Sequence, residues 1–323
     1  MVLLHIFIFL LSSIMLAIAG DWLVRSLHRI ARFLGWQDFI TAFFIMSVAV
    51  SVPELFIGIT AALGGIPELS FGNIIGANII HFTLAIALAT IVLGNLSFES
   101  AHVRLSADFT IFFAVLPFIL MIDGVLSRRD GIVLMSAFFI YVLWVFSKRE
   151  HFSKQYYPLA SDGHGIVSPF EKYKMFLKDF GTFLMGVGVL ILAAKGIVES
   201  ATFFAEALQM PLVMIGVFVV GLGTALPETY FAIASARRGN QFMIIGNLLG
   251  STVFTASFVL GLVAFLYPIV ITDFSPYIIA RAFLIISGIT LLVFSRTGNK
   301  LTSREAFILL GFLFIFGLVQ ILA

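Results

Sequence analysis

The stretches Ala49-Val50-Ser51-Val52-Pro53-Glu54 and Gly223-Thr224-Ala225-Leu226-Pro227-Glu228 decide how this chain folds. Each ends in Pro-Glu, each glutamate is the sole carboxylate of a long apolar stretch, and the two glutamates lie 174 residues apart. The same offset carries Gly72, Asn73 and Gly76 onto Gly246, Asn247 and Gly250 without a gap, so Pro-Glu followed by G-N-x-x-G occurs twice. A carboxylate facing hydrocarbon costs about 3 kcal/mol on insertion scales. Two at equivalent depth therefore read as a functional pair, and in a duplicated membrane protein they are suited to hold a cation near the bilayer midplane between inverted repeats.

Composition sets the solvent. Of 323 residues 61% are hydrophobic, 37 are Phe and only 11% are charged, and mean hydropathy is +1.12. A chain with so few polar groups cannot cover a water-soluble globule. A span of ~30 Å of hydrocarbon takes ~20 apolar residues, and ten candidate spans are expected, near 2–24, 37–63, 69–94, 103–122, 128–147, 175–206, 211–236, 241–269, 276–295 and 304–323. The expected fold class is all-α integral membrane, with ten transmembrane helices as two inverted five-helix repeats. Residues 1–147 form the first repeat, with its motif at 49–81; 148–174 are a polar cytoplasmic linker; 175–323 form the second, with its motif at 223–255. Without cysteine there is neither a disulfide framework nor a thiolate site. The formal charge of +2 gives no indication of nucleic acid. Ala17-Ile18-Ala19 resembles a cleavage site, but the start lacks basic residues and residues 1–35 pair by offset with the mid-chain segment 175–209, so the first span is expected to be retained.

Basic residues give the orientation. With the N-terminus outside, the cytoplasmic loops carry Arg25, Arg29 and Arg32; Arg104; Lys148, Arg149, Lys154, Lys172, Lys174 and Lys178; Arg237 and Arg238; and Arg296, Lys300 and Arg304, which is 15 of the 19 basic residues. The opposite loops hold only Arg128 and Arg129. Five spans precede the second copy, so the motif enters the membrane from opposite sides. The expected location is the plasma membrane, multi-pass.

A proline within an apolar helix frees the carbonyl one turn earlier, here Ala49 for Pro53 and Gly223 for Pro227. Ser51 shares a face with Glu54, and Thr224 lies one turn before Glu228. Carboxylate, hydroxyl and carbonyl oxygens are the ligands that hard cations take. The glycines of G-N-x-x-G permit close helix contact, while Asn73 and Asn247 are expected to satisfy broken backbone. Further along the same face lie Ala77 and His81 in the first copy, and Ser251 and Thr255 in the second.

These paired motifs, with Gly72-Asn73-Ile74-Ile75-Gly76-Ala77-Asn78 and Gly246-Asn247-Leu248-Leu249-Gly250-Ser251, resemble the two α-repeats of the calcium/cation antiporter superfamily, especially its sodium/calcium exchanger branch. The resemblance covers essentially the whole chain. It implies spans 2, 3, 7 and 8 around the ion sites, with spans 1 and 6 as long helices that slide for alternating access. It implies Ca²⁺ ligated by both glutamates, Na⁺ sharing or flanking the same oxygens, and exchange of Ca²⁺ for Na⁺. The family's G-T-S before the first Pro-Glu is Ala49-Val50-Ser51 here, and copy two keeps the threonine but has Ala225 for the serine. His81 and Thr255 stand where exchangers carry Asn and Asp.

The expected site is therefore Glu54, Glu228, Ser51, Thr224, Ser251, the carbonyls of Ala49 and Gly223, and His81 and Thr255. The transported ions are Ca²⁺ and Na⁺, with no resident cofactor. Because the oxygens that serve Na⁺ are thinned, two alternatives stay open. One is an H⁺-coupled divalent antiporter, for Ca²⁺ or Mn²⁺, in which His81 beside Glu54 exchanges the proton. The other is a degenerate member with altered ion specificity. An enzyme is not indicated, since no acid orients a His81–Ser51 pair, and a channel suits a site built for occlusion poorly. The partners implied are inorganic cations and the lipid bilayer, with no obligate protein partner.

Overall fold

A computed structural model describes residues 1–33, 48, 50–98, 101–147, 169–271 and 275–322. Among them the chain forms ten helices: α1 Val2–Phe33, α2 Val52–Leu63, α3 Pro67–Leu93, α4 Ala101–Leu120, α5 Arg128–Ser147, α6 Pro169–Leu208, α7 Leu212–Arg237, α8 from Gln241–Val253 through Leu260–Leu266, α9 Ser275–Arg296 and α10 Ser303–Leu322. Seven of them (α1, α3, α6, α7, α8, α9 and α10) are long and apolar enough by length and composition to cross a membrane, and the fold is an all-α, multi-pass membrane fold. Residues 37–47 of the expected second span, Ala49 among the expected ligands, and linker residues 148–168 lie outside the described residues. α6 already begins at Pro169, inside the interval assigned to the linker.

Helix boundaries recur at the motif's offset. α2 ends at Leu63 and α7 at Arg237; α3 starts at Pro67 and α8 at Gln241. A π-helical turn at His81–Ala85 in α3 has its counterpart at Phe254–Val259 in α8. The N-termini of α5 and α10 carry matching capping boxes. In the first, the Ser127 N–H donates to Asp130 Oδ2 at 2.8 Å and the Asp130 N–H to Ser127 Oγ at 3.4 Å. In the second, Thr302 N–H donates to Glu305 Oε2 at 2.8 Å and Glu305 N–H to Thr302 Oγ1 at 3.4 Å.

Two short antiparallel ribbons staple the loops. β1 Asn95–Ser97 pairs with β4 Lys300–Thr302, and β2 Val125–Leu126 with β3 Ile269–Val270. α4 runs from the β1 end to the β2 end, whereas α9 runs from the β3 end back to the β4 end. The two helices, equivalent under the 174-residue offset, thus run in opposite senses between the same two ribbons. The Ser97 N–H donates to Gln241 Oε1 at 2.8 Å, which brings the α7–α8 turn with Arg237 and Arg238 to the β1–β4 end.

The core interlocks the halves through glycines that face backbone. A Cβ added at Gly72 would lie 2.0 Å from the Val213 carbonyl oxygen, and one at Gly76 2.1 Å from that of Val217. No rotamer relieves a collision with backbone, so α3 sits against the first turns of α7 only because both positions are glycine. α1 and α6 pack along each other instead through Leu16, Ala19 and Leu23 on one side and Leu190, Ala194 and Ile197 on the other. With 32 and 40 residues they extend about 48 and 60 Å. Near one end Arg29 Nε donates to Asp179 Oδ1 at 2.6 Å; near the other, the rings of His5 and Phe203 stack with centroids 3.9 Å apart. The offset maps His5 onto Asp179 and Arg29 onto Phe203, so these are one contact made twice with different chemistry.

Gly72→Ala and Gly76→Ala are expected to destabilise the fold by about 2 kcal/mol each, the range of core overpacking. Gly188→Ala, where nothing lies within 4 Å, is expected to stay within about 0.5 kcal/mol. Thermal unfolding in detergent micelles measures the difference.

Candidate cation site

Glu54 lies in the first turn of α2, with Ser51 at the N-cap and Pro53 beside it. A proline in a first turn removes no intrahelical donor, and the positive end of the helix dipole favours the Glu54 carboxylate. Glu228 is placed differently. Pro227 lies inside α7, Gly221–Arg237 of that helix being continuous around it, so the Gly223 carbonyl has no Pro227 N–H to accept from. The equivalent motifs therefore give a helix start in one half and, in the other, a continuous helix that lacks one backbone hydrogen bond. Helix α1 lines both: Pro53 Cγ lies 3.5 Å from a Cβ built on Gly20, and Phe9 Cζ 3.6 Å from one built on Gly223.

Both glutamates are 1% exposed, and they are near enough to repel each other. Their surroundings differ sharply. Ser251 Oγ donates to Glu228 Oε1 at 2.8 Å, Ser51 Oγ reaches the same oxygen at 3.4 Å, and the two serine oxygens lie 2.7 Å apart. The other oxygen, Glu228 Oε2, pairs with His81 Nε2. In the opposite half the positions of Ser251 and Ser51 are Ala77 and Ala225, which pack together as a small apolar cluster with Ile80. Glu54 Oε2 makes no hydrogen bond within the protein. Thr224 stands beside the Glu54 carboxyl group and donates to Asn73 Oδ1 at 3.0 Å.

The structure thus brings Glu54, Glu228, Ser51, Thr224, Ser251 and His81 together, and apart from the Ser251–Glu228 bond within the second half the contacts cross between the halves. Ser51, which shares its turn with Glu54, is bonded to Glu228. Thr224, which lies on the helix of Glu228, stands beside Glu54 and gives its proton to Asn73 of the first half. The expectation that His81 lies beside Glu54 is corrected for the same reason. Gly72 and Gly76 press α3 onto α7, and the same stripe, continued into the π-helical turn that opens at His81, meets Glu228. Thr255 is set back from both carboxylates in hydrogen bonding: its hydroxyl donates to Asn78 Oδ1 at 3.5 Å and to the Thr252 carbonyl at 3.3 Å.

Sequence reasoning passed over Thr252 and gave Asn78 no role. His81 Nδ1 lies 3.5 Å from Thr252 Oγ1, and the offset maps His81 onto Thr255 and Asn78 onto Thr252. The two contacts are therefore equivalents, and applying the offset to every polar residue beyond Gly76 would have paired them. Among the described residues no group of three or more His, Asp and Glu side chains gathers as a metal centre. The ligands on offer are carboxylate, hydroxyl, amide and backbone oxygens, suited to hard cations in transit.

Residues 4–147 and 178–322 match the family described as sodium/calcium exchanger protein. The chain is 26% identical to the sodium/calcium exchanger MaX1 of Methanosarcina acetivorans, over 97% of each chain. It is also 26% identical to the inner membrane protein YrbG of Escherichia coli, over 80% of this chain and 79% of that one. A solved structure of the sodium-calcium exchanger NCX_Mj superposes with a TM-score of 0.65 at 24% identity, covering 98% of both chains, a likeness of fold.

Because His81 holds Glu228 Oε2, a cation that takes both oxygens of this carboxylate has to displace the imidazole. Removing that contact frees the oxygen, so His81→Ala is expected to tighten Ca²⁺ binding roughly tenfold, about 1.4 kcal/mol, in isothermal titration of the purified protein. Weaker binding would instead make His81 a ligand. Glu54→Gln removes a buried carboxylate whose Oε2 makes no hydrogen bond within the protein, and is expected to abolish measurable Ca²⁺ binding.

Proposed function

Since the chain belongs to the sodium/calcium exchanger protein family and is a secondary-active cation antiporter, not an enzyme, we propose that it moves Ca²⁺ across the membrane against Na⁺ by alternating access. The observation that carries this reading is the crossed site. Two buried carboxylates from separate halves lie within range of each other's charge, Glu228 approached by Ser51 of the first half and Ser251 of its own, and Glu54 by Thr224 of the second half. A single divalent ion balances both charges, and monovalent ions can replace it at the same carboxylates. The relative MaX1, named as a sodium/calcium exchanger, supports the choice of ions.

The architecture we infer is ten spans in two inverted five-helix repeats, 1–147 and 175–323. The recurrence of helix boundaries and the opposed courses of α4 and α9 between two shared ribbons support it. So does the likeness to the fold of NCX_Mj. We place the N-terminus outside the cell and the β1–β4 end in the cytoplasm. Arg104, Arg237, Arg238, Arg296, Lys300 and Arg304 gather at that end, while Arg128 and Arg129 open α5 at the other. The membrane we infer is the plasma membrane. The site residues proposed as ligands are Glu54, Glu228, Ser51, Thr224 and Ser251, with the Gly223 carbonyl. The described contacts of Thr255 leave it a structural role, and His81 is a competitor for Glu228. The sliding elements are α1 and α6, which lie outside both ribbons and along the two motifs.

Proteoliposomes loaded with Na⁺ and diluted into Na⁺-free buffer test the reading. Uptake of Ca²⁺ is expected to follow the Na⁺ gradient and to be indifferent to an imposed pH gradient, and Glu54→Gln is expected to lower it at least a hundredfold. Uptake driven by the pH gradient and insensitive to Na⁺ would overturn Na⁺ as the coupling ion.

A further inference from the structure

The two halves place an asparagine at the same station, Asn73 in α3 and Asn247 in α8; both leave Nδ2 without a partner within the protein, but only Asn73 has a donor for its Oδ1. Asn73 Oδ1 accepts the Thr224 hydroxyl at 3.0 Å. Asn247 is 3% exposed, and neither its Oδ1 nor its Nδ2 has a hydrogen-bond partner within the protein. The sequence gives the cause. Subtracting the offset from Thr224 arrives at Val50, which has no hydroxyl to donate.

A buried polar group left without a partner costs about 1–3 kcal/mol, and a leucine of similar volume would avoid that cost. An amide at this place is stabilised only by something the chain itself does not supply. Its location says what. Asn247 lies one turn before Ser251 on α8, on the same helix face, and Ser251 is bonded to Glu228 and Ser51. An amide oxygen is a neutral, hard donor, the kind that binds alkali and alkaline-earth cations.

Charge balance points to the monovalent class. One Ca²⁺ neutralises Glu54 and Glu228 together, whereas the same neutralisation by Na⁺ takes two ions, and two ions need more oxygens. The Glu54 side presents Ala77 and Ala225 where the Glu228 side presents Ser251 and Ser51. Additional oxygens for a second ion are therefore on the Glu228 side, where Asn247 Oδ1 is unpartnered. We propose that Asn247 Oδ1 is a ligand of a Na⁺ ion bound on the Glu228 side with Ser251 and Glu228, and that Val50 keeps it available by leaving it without a protein donor. This deepens the Na⁺/Ca²⁺ exchange reading and rests on it.

The test is Ca²⁺ titration of the purified full chain in detergent at increasing Na⁺, for wild type, Asn247→Leu and Val50→Thr. In Asn247→Leu the Na⁺ concentration that half-displaces Ca²⁺ is expected to rise about tenfold, the loss of one good ligand, while Ca²⁺ affinity without Na⁺ changes less than about twofold. Val50→Thr restores the donor that Asn73 finds in Thr224, and is expected to raise the Na⁺ requirement in the same direction by a smaller factor. It also keeps the proposal testable if the leucine variant does not fold. An unchanged Na⁺ requirement in the folded variants, or a Ca²⁺ affinity that falls by the same factor as the Na⁺ response, overturns the proposal and leaves the exchange reading standing. Failure of Na⁺ to displace Ca²⁺ from wild type overturns both.

Discussion

Two carboxylates, Glu54 and Glu228, are buried within range of each other's charge and repel each other, and the polar contacts around them answer that repulsion. Burial at 1% exposure removes water as the remedy, and an unpaired charge in a low-dielectric medium costs far more than any packing contact returns. The chain's answer is to send polar atoms across its internal boundary. Ser51 leaves its own helix start to meet Glu228 and Ser251, and Thr224 crosses to Glu54 and Asn73. Crossing requires that the halves approach at backbone distance, which explains why Gly72 and Gly76 lie against the carbonyls of Val213 and Val217. The glycines and the glutamates are thus two parts of one requirement.

The two carboxylates do not receive equal help. Glu228 is held by two serines and an imidazole, while Glu54 has Thr224, a helix N-terminus and one unpartnered oxygen. A duplicated protein with identical halves would hold its ion on the twofold axis. Here the substitutions at Ala77, Ala225, His81 and Val50 shift the polar atoms to one side. An ion entering such a site meets a ready carboxylate oxygen first at Glu54 and a competed one at Glu228.

Much of this was legible in the sequence because duplication leaves a numerical trace. The offset between Glu54 and Glu228 aligned the glycines, and the helix starts follow it to within one residue from α3 and α8 to α5 and α10. The membrane class came from composition, which depends on no contact at all. What the sequence could not convey was the partner of each side chain. Helical spacing tells that Ser51 and Glu54 share a face, but not that this face meets α7 and α8. For the same reason His81 was expected beside Glu54. Its true neighbour depends on how α3 crosses α7, which the glycine stripe makes close but does not by itself orient. The π-helical turns in α3 and α8 add a residue to one turn each, a shift in register that no periodicity read from the chain includes. The ribbons are two or three residues long, too short for any alternation to announce them.

The paired contacts on α1 and α6 have a consequence of their own. Near one end the helices are joined by Arg29 and Asp179, an ion pair whose arginine is 44% exposed; near the other, by the face-to-face rings of His5 and Phe203. Dissolved salt weakens an exposed ion pair and leaves an aromatic stack largely untouched. A helix pair clasped in this way is fastened unequally, so that ionic strength loosens one clasp and spares its twin. In the divergence of two equivalent positions, one contact has become screenable by salt and the other has not.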